Sequence, residues 1–356
     1  MFVFKKIVPE DGDWSAIENA YDSTVFHCQK WSDYLKKAGY KPIVFSVEEG
    51  GDVIGYFVGV KKWMGANMIC APMQGNGTYT QGLCFKQPVT EEKRVSVYKE
   101  LAEWIFKNRM ASLLQVDDWQ LRRVYDDWIP TDDWKQETLD TFGITHSVRV
   151  TLHLDMKGKS EEELWAGLHY KSAKYSINKA TKLGLHVRVI DKFEDIPEFV
   201  RIHHEHVVNV HDRHGTRPKH AQSRGRMQKV CETLFPDRVL MLQTLGQDEN
   251  GVEQVMASSI FCYDKGESVY WTSGSYAQYL KKYCPNEIMF WEALKILQQR
   301  GVQELNLGGM SSYKLKYGST YAYVPRFYFY KYKSVYRLKV FALKAYHTLR
   351  HLIKSE

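Results

Sequence analysis

Hydrophobic and polar positions follow the same succession of patterns twice along the chain. In the first half, Pro42–Val47 and Val53–Val60 read as strands around a Gly50-Gly51-Asp52 turn, and Met68–Ala71 as a short strand entering a Gly/Pro loop. Val97, Leu101, Trp104 and Ile105 recur at helical spacing, which predicts a helix over Glu91–Asn108. Ser112–Val116 is then a strand ending in Asp117-Asp118. In the second half, Val239–Leu245 is a strand, Asp248–Gly251 a turn, and Val255–Tyr263 with Ser268–Ser273 a hairpin. Phe290, Ala293, Leu294 and Leu297 share one face of a helix over Asn286–Arg300, and Glu304–Leu307 is a strand running into Gly308-Gly309. The repeat predicts a duplicated α/β unit of mixed sheets, antiparallel hairpins followed by a strand–helix–strand crossover. The expected units are residues 1–150, residues 151–330 and a basic, broadly helical tail, residues 331–356, with the join near Gly143–Leu154.

Glu161–Gly184, between the copies, reads as two turns of helix followed by a basic helix. Lys171, Lys174, Asn178 and Lys182 fall on one face, and Ala173, Ile177, Ala180 and Leu183 on the opposite one. The lysine stripe is either a solvated helix face or a wall for an anion such as phosphate or RNA. Histidines crowd the next segment, at 203, 204, 206, 211, 214 and 220. His204 and His211 would lie roughly 10 Å apart along a helix, too far to share one metal. The string His-His-Glu-His-Val-Val does not fit H-E-x-x-H, so a surface helix with a polar face is expected, leading into the Arg213-His-Gly-Thr-Arg217 loop.

The length of 356 residues suits two domains of roughly 100–200 residues each. The net charge of +7, 49 Lys+Arg against 42 Asp+Glu, is unevenly spread. Residues 1–150 carry 18 basic and 21 acidic groups, residues 151–330 carry 24 and 20, and residues 331–356 carry 7 and 1. The excess sits in the tail, so membrane contact through residues 331–356 is a further expectation. The uncharged stretch between Lys62 and Lys86 is too rich in Asn, Gln, Thr and Gly to cross lipid. The start, Met1-Phe-Val-Phe-Lys-Lys, has no apolar run of secretory length, and the six cysteines are scattered without a C-x-x-C pair. A cytoplasmic protein with free thiols is expected.

Coenzyme A is held in acetyltransferase folds by a Q/R-x-x-G-x-G/A loop whose amides cap the pyrophosphate. Gln74…Gly77, Gln222…Gly225, Gln243…Gly246 and Gln298…Gly301 match its first part and fail at the last position, with Tyr79, Met227, Asp248 and Gln303. No Walker A or G-x-G-x-x-G pattern is present, and no cofactor is expected. The sharpest stretch is Glu304-Leu-Asn-Leu-Gly308-Gly309-Met310-Ser-Ser-Tyr313-Lys314-Leu-Lys316-Tyr317-Gly318. A strand stopping at two glycines opens the backbone to a ligand, and a lysine beyond it can stabilise an oxyanion or a phosphate. A surface turn with solvated lysines fits the spacing equally well.

Leu305-Asn-Leu-Gly-Gly followed by Tyr313-Lys-x-x-Tyr317-Gly318 resembles the F-K-x-x-F-G ending of the Fem family. That family comprises peptidoglycan-bridge aminoacyltransferases built from two tandem GNAT-like domains. Four further stretches are similar to it, in the same order. They are Gln29-Lys-Trp31, Glu163-Leu-Trp…Lys174-Tyr-Ser-Ile-Asn-Lys-Ala-Thr-Lys-Leu-Gly184, Arg213-His-Gly215, and Gly274-Ser275…Pro285-Asn286…Trp291-Glu-Ala293. Tyr stands for both Phe residues of the ending, and Lys174 and Asn178 stand where arginine is usual.

The resemblance implies an acyltransferase of two tandem GNAT-like domains. Lys314 would stabilise the transition state beside Tyr313, and Arg213 and Lys36 would grip the acceptor's phosphates. Trp31, Arg217, Tyr270, Ser273, Gly308, Gly309 and Tyr317 complete the expected substrate-binding set, with Lys171, Lys174 and Lys182 as the tRNA or anion face. The donor expected is aminoacyl-tRNA and the acceptor an amine on a phosphate-bearing envelope or glycan precursor. An acyl-CoA donor, for a polysaccharide or lipid acceptor, and a non-catalytic RNA-binding protein remain alternatives. No Ser-His-Asp or Cys-His arrangement stands out, so no acyl-enzyme is expected, and no residue is singled out as general base.

Overall fold

The computed structural model describes residues 1–63, 67–72, 77–129, 138–139, 144–332, 334 and 337. Most of the tail 331–356 and part of the join before residue 144 therefore lie outside the described residues. The first half contributes β1 (Val3–Ile7), α1 (Asp11–Glu18), α2 (Gln29–Lys37), β2 (Lys41–Glu49), β3 (Asp52–Trp63), β4 (Asn67–Ala71), β5 (Gly82–Phe85), α3 (Glu91–Lys107) and β6 (Leu113–Asp117). Short strands β7 (Arg123–Tyr125) and β8 (Thr138–Leu139) precede the long β9 (Thr145–Asp155). The second half contributes α4 (Glu161–Gly167), α5 (Tyr175–Lys182), β10 (His186–Val189), α6 (Ile196–Arg213), α7 (Arg224–Leu234), β11 (Val239–Gln247), β12 (Glu253–Tyr263) and β13 (Glu267–Ser275). It ends with α8 (Ala277–Tyr283), α9 (Pro285–Gln299), β14 (Glu304–Asn306), α10 (Ser312–Leu315) and β15 (Thr320–Tyr330).

These strands join one mixed sheet, ordered β1-β2-β3-β4-β6-β15-β9-β14-β13-β12-β11-β10. The order reads the same from both ends: three antiparallel pairings lead to one parallel pair, β4 with β6 and β13 with β14. The crossover helices α3 and α9 bridge those parallel pairs, so the fold is α/β with mixed sheets and the repeat is a duplicated unit. The closing strands are exchanged. β9 follows the first copy in sequence but pairs with β14 of the second, and β15 follows the second copy but pairs with β6 of the first. β9 and β15 pair with each other over nine positions, which ties the halves together by backbone hydrogen bonds.

Burial follows the helical spacing. Val97, Tyr98, Leu101 and Ile105 of α3 pack on Phe45, Phe57 and Val116, while Phe290, Leu294 and Leu297 of α9 pack on Leu240, Phe261 and Tyr270. A third core joins the halves, with Trp31, Tyr34 and Leu35 of α2 against Met227, Val230 and Leu234 of α7.

Three expectations need correction. The histidine helix is α6, but His203 and His206 are completely buried, not on a polar surface. Both point Nδ1 at the Ser258 hydroxyl of β12, at 2.8 and 2.7 Å, and burial pushes their pKa values down to about 3 and about 4. Gly274 makes this possible, since a Cβ there would stand 2.6 Å from the α6 backbone. The basic helix begins as a π turn, Tyr170–Lys174, and Lys174 turns back to donate to the Ala166 carbonyl at the end of α4 (3.0 Å). Ala173, Ile177 and Ala180 are buried as expected, whereas Leu183 lies past the helix end and is exposed.

Candidate active-site cleft

The parallel pair of the second half is short. β13 and β14 match only at Glu267/Glu304, Ser268/Leu305 and Val269/Asn306. β14 then stops, while β13 runs on with Trp271 as an extra residue between the pairs Phe261/Tyr270 and Ile260/Thr272. Gly308 turns the chain away with φ +73, a backbone that disfavours any side chain, and the Tyr79 ring lies where a Cβ would make contact at 3.4 Å. Asn306 Oδ1 accepts from the Gly308 N–H (2.9 Å), and the Gly308 carbonyl is held by the Leu152 N–H (3.2 Å) and the Thr151 hydroxyl.

The divergence leaves a cleft of about 610 Å³ between the halves. Thr78, Tyr79 and Asp117 reach it from the first half, residues 147–151 from β9, Trp271 and Thr272 from β13, Gly308–Met310 from the turn, and Arg326 and Tyr328 from β15. Lys219 and Gln222 close one side from the α6–α7 connection.

Lys314 sits behind the glycine turn. Its ammonium donates to the carbonyls of Leu307 (2.5 Å) and Gly309 (3.1 Å) and lies 5.6 Å from the centre of the Tyr270 ring. Burial, reinforced by the Lys219 charge, lowers its pKa to about 8. An ammonium has three donors and the turn uses two, which leaves one N–H. Beneath it Tyr317 donates to the Tyr313 hydroxyl (2.7 Å), Phe290 packs tilted against Tyr317 with ring centres 4.0 Å apart and meets Tyr270 edge-on, and Ser273 hydrogen-bonds the Tyr270 phenol. Lys316 lies 4.0 Å from the centre of the Tyr313 ring and is paired with Glu287 at 2.6 Å. The structure therefore gathers Tyr270, Ser273, Tyr313, Lys314 and Tyr317 behind the Gly308-Gly309 turn, and of this expected set the two glycines line the cleft itself.

The other expected residues lie elsewhere. Trp31 is fully buried and reaches the cleft only through its indole N–H, which donates to the Thr78 hydroxyl at 3.2 Å. Lys36 is paired with Asp33 one turn back on the surface of α2 (3.0 Å) and does not line the cleft. Arg213 ends α6 and Arg217 follows on the α6–α7 connection, both exposed, and it is Lys219 of that connection that reaches the cleft. Lys171, in the π turn, and Lys182, at the end of α5, are exposed and do not line it.

Several cleft groups escaped the pattern of the sequence. Arg326 clasps Asp117 through Nε and Nη2, both at 2.6 Å, although 209 residues separate them. Arg149 approaches the same carboxylate with Nε at 3.3 Å and donates to the Tyr79 carbonyl at 3.0 Å. Arg326 stands inside an otherwise mostly aromatic and apolar strand, which is a signal in the sequence, whereas Arg149 is flanked by Val148 and Val150 in a strand that also carries Thr, Ser and His. At the root of the cleft, burial and then the neighbouring Glu304 push the Glu267 carboxyl up to about 8. Glu304 itself, against the upward push of burial, is held down to about 2 by His153 and Arg122.

Residues 169–323 match the family model described as an acetyltransferase (GNAT) domain. The chain is similar in structure to FemX, with a TM-score of 0.66 and 12% identity over 94% of this chain and 99% of that one. It is also similar to the C-terminal domain (DUF2156) of a putative lysylphosphatidylglycerol synthetase from Agrobacterium fabrum, with a TM-score of 0.52 and 12% identity over 92% and 95%. A conserved protein of unknown function from Bacteroides thetaiotaomicron aligns at a TM-score of 0.50 and 10% identity over 92% and 100%. No curated protein matches the sequence. Among the described residues no helix is long and apolar enough to cross a membrane. The chain thus has the Fem-like tandem GNAT fold, and residues 169–323 form an acyltransferase domain of the GNAT type.

Proposed function

We propose that the cleft transfers an aminoacyl group from aminoacyl-tRNA to a primary amine of a phosphate-bearing cell-envelope precursor. The amine attacks the ester carbonyl, a C–N bond forms, and the C–O bond to the terminal ribose breaks. The amine's proton leaves with the ribose hydroxyl. Negative charge gathers on the carbonyl oxygen in between, next to the Gly308-Gly309 turn that the Lys314 ammonium clamps from behind. One well-placed donor of this kind lowers the barrier by about 3–4 kcal/mol.

The observation that favours tRNA over coenzyme A is the connection from β13 to α9. A phosphate cradle needs a tight loop feeding free amides of a helix start. Here α8 is interposed, and α9 begins at Pro285, whose nitrogen has no hydrogen to donate. The match of residues 169–323 to an acetyltransferase model favours acyl-CoA as the second reading. Mass spectrometry of an amine acceptor pool, incubated with charged tRNA or with acyl-CoA, separates the two. An aminoacyl increment from charged tRNA is expected, and an increment from acyl-CoA alone would overturn the choice of donor.

A further inference from the structure

The cleft holds more positive charge than it balances. Two guanidiniums, Arg149 and Arg326, share one carboxylate, Asp117, which is only 1% exposed. Lys219 adds a third cation at the side. Glu267 lies within electrostatic reach of Arg149, but its raised pKa of about 8 keeps it protonated and neutral near pH 7. Three cations therefore face one anion; the two guanidiniums are largely buried, where an uncompensated charge is costly, and Lys219 stands exposed at the side.

Arg149 is also held in place with a donor to spare. Nη2 donates to the Tyr79 carbonyl, and Nε lies 3.3 Å from the Asp117 carboxylate as an ion pair without a hydrogen bond. Nη1 has no partner among the described residues, and the side chain keeps 24% exposure on the cleft wall. A second unsatisfied group lines the same cleft. Thr272, the residue after the extra position in β13, is 94% buried, and its hydroxyl has no hydrogen-bond partner. Buried hydroxyls are seldom left unpaired, and a planar guanidinium fork matches the oxygens of a carboxylate or phosphate.

We propose that this wall seats an anionic group of the substrate, a carboxylate or a phosphate ester, on Arg149 with Thr272 and Lys219 as its companions. The seat is carried by β9, β13 and the α6–α7 connection, not by Lys36 or Arg213. It rests on the reading of this cleft as the substrate site. It adds that one substrate is recognised there by an anion, close to the Gly308-Gly309 turn.

Calorimetric titration of the intact chain with inorganic phosphate, and separately with acetate at matched ionic strength, tests the seat. Saturable binding to one site is expected, with the tighter anion naming the ligand group. Arg149→Met should weaken it about tenfold or more, the worth of a charge-assisted hydrogen bond. Thr272→Val keeps the shape and the charge, so it remains readable if Arg149→Met does not fold, and should weaken binding about fivefold. Lys314→Met should bind the anion like the wild type while losing acyl transfer. Absence of saturable binding, or equal binding by the wild type and both seat variants, overturns the seat. Anion binding that depends on Arg149, together with full turnover by Lys314→Met, overturns the proposed role of Lys314 and leaves the seat standing.

Discussion

The two copies of the unit close the same crossover in opposite ways. In the first, β4 and β6 stay paired over four positions, and the space beyond is filled by β5 and by Arg94. Arg94 lies between two buried carboxylates, Asp22 and Asp118, and also donates to the Leu83 carbonyl, while Tyr98 donates to Asp118 at 2.7 Å. In the second, the parallel pair stops after three positions and the space stays open as the cleft, floored by one carboxylate between two arginines. The first ladder pair is apolar in one copy, Met68 with Leu113, and acidic in the other, Glu267 with Glu304. Asp117 and Asp118 supply both arrangements, because consecutive residues of extended backbone point to opposite faces. One copy is locked as a scaffold, and the other is left open as the cleft.

Breaking the lock should have the largest effect. Arg94→Met leaves Asp22 and Asp118 buried without their cation, so a loss of about 3–5 kcal/mol in chemical denaturation is expected. Transfer activity per folded molecule should survive. Normal stability with lost activity would mean that the first crossover is also a site.

Lys314→Met should do the reverse. A fall in kcat of roughly 10²–10³ is expected, with folding unchanged, since the residue's proposed work is on the developing oxyanion. Its lowered pKa adds a pH signature. The ammonium form is lost as pH rises through about 8, so wild-type turnover should decline above that value. A turnover that rises steadily to pH 9.5 would sink the assignment.

The contrast between copies was only partly legible in the sequence. The duplication was, because Val97/Leu101/Ile105 and Phe290/Leu294/Leu297 carry the same helical period half a chain apart, between strands of the same kind. The cluster from Tyr270 to Tyr317 behind the glycine turn was also within reach, since most of it is local to one strand end and one turn. What escaped notice depends on the exchange of β9 and β15. No periodicity reveals that Arg326 will meet Asp117, or that Arg149 will stand between Tyr79 and Asp117. The histidines misled for a related reason. His203 and His206 look polar along the chain, yet one serine on β12 and one glycine on β13 let the sheet absorb them as neutral rings.

The acidic pair at the root of the cleft yields a smaller effect with a definite sign. Folded Glu267 keeps its proton up to about pH 8, whereas the unfolded chain releases it near the ordinary value of 4.5. Between these values the folded state binds more protons, so this group's contribution to stability is full below pH 4.5 and falls as pH rises, by up to about 1.4 kcal/mol per unit. Glu267→Gln cannot titrate, and its amide oxygen can still accept from the Thr80 hydroxyl, which lies 3.3 Å from Oε2. Denaturation midpoints at pH 5 and pH 8 should therefore shift in favour of the variant at the higher pH. A gap that stays constant between the two values would show that Glu267 ionises normally, and that the root of the cleft is no different in kind from Met68/Leu113.

The smallest effect concerns Lys36, and it tests where the first copy touches substrate. The Fem resemblance puts an acceptor grip there, but α2 turns its apolar side to α7 and leaves Lys36 paired with Asp33 on the outside. Surface pairs of this kind contribute little, and an exposed flexible ammonium away from the cleft adds only a screened, general attraction. Lys36→Met should then change KM for the acceptor by less than about twofold at physiological ionic strength. Arg149→Met should raise KM by about the tenfold expected of a lost anion contact. If Lys36→Met raises KM as much as Arg149→Met does, the acceptor extends across α2, and the first copy takes part in recognition beyond Pro72, Gly77, Thr78, Tyr79 and Asp117, through which it reaches the cleft.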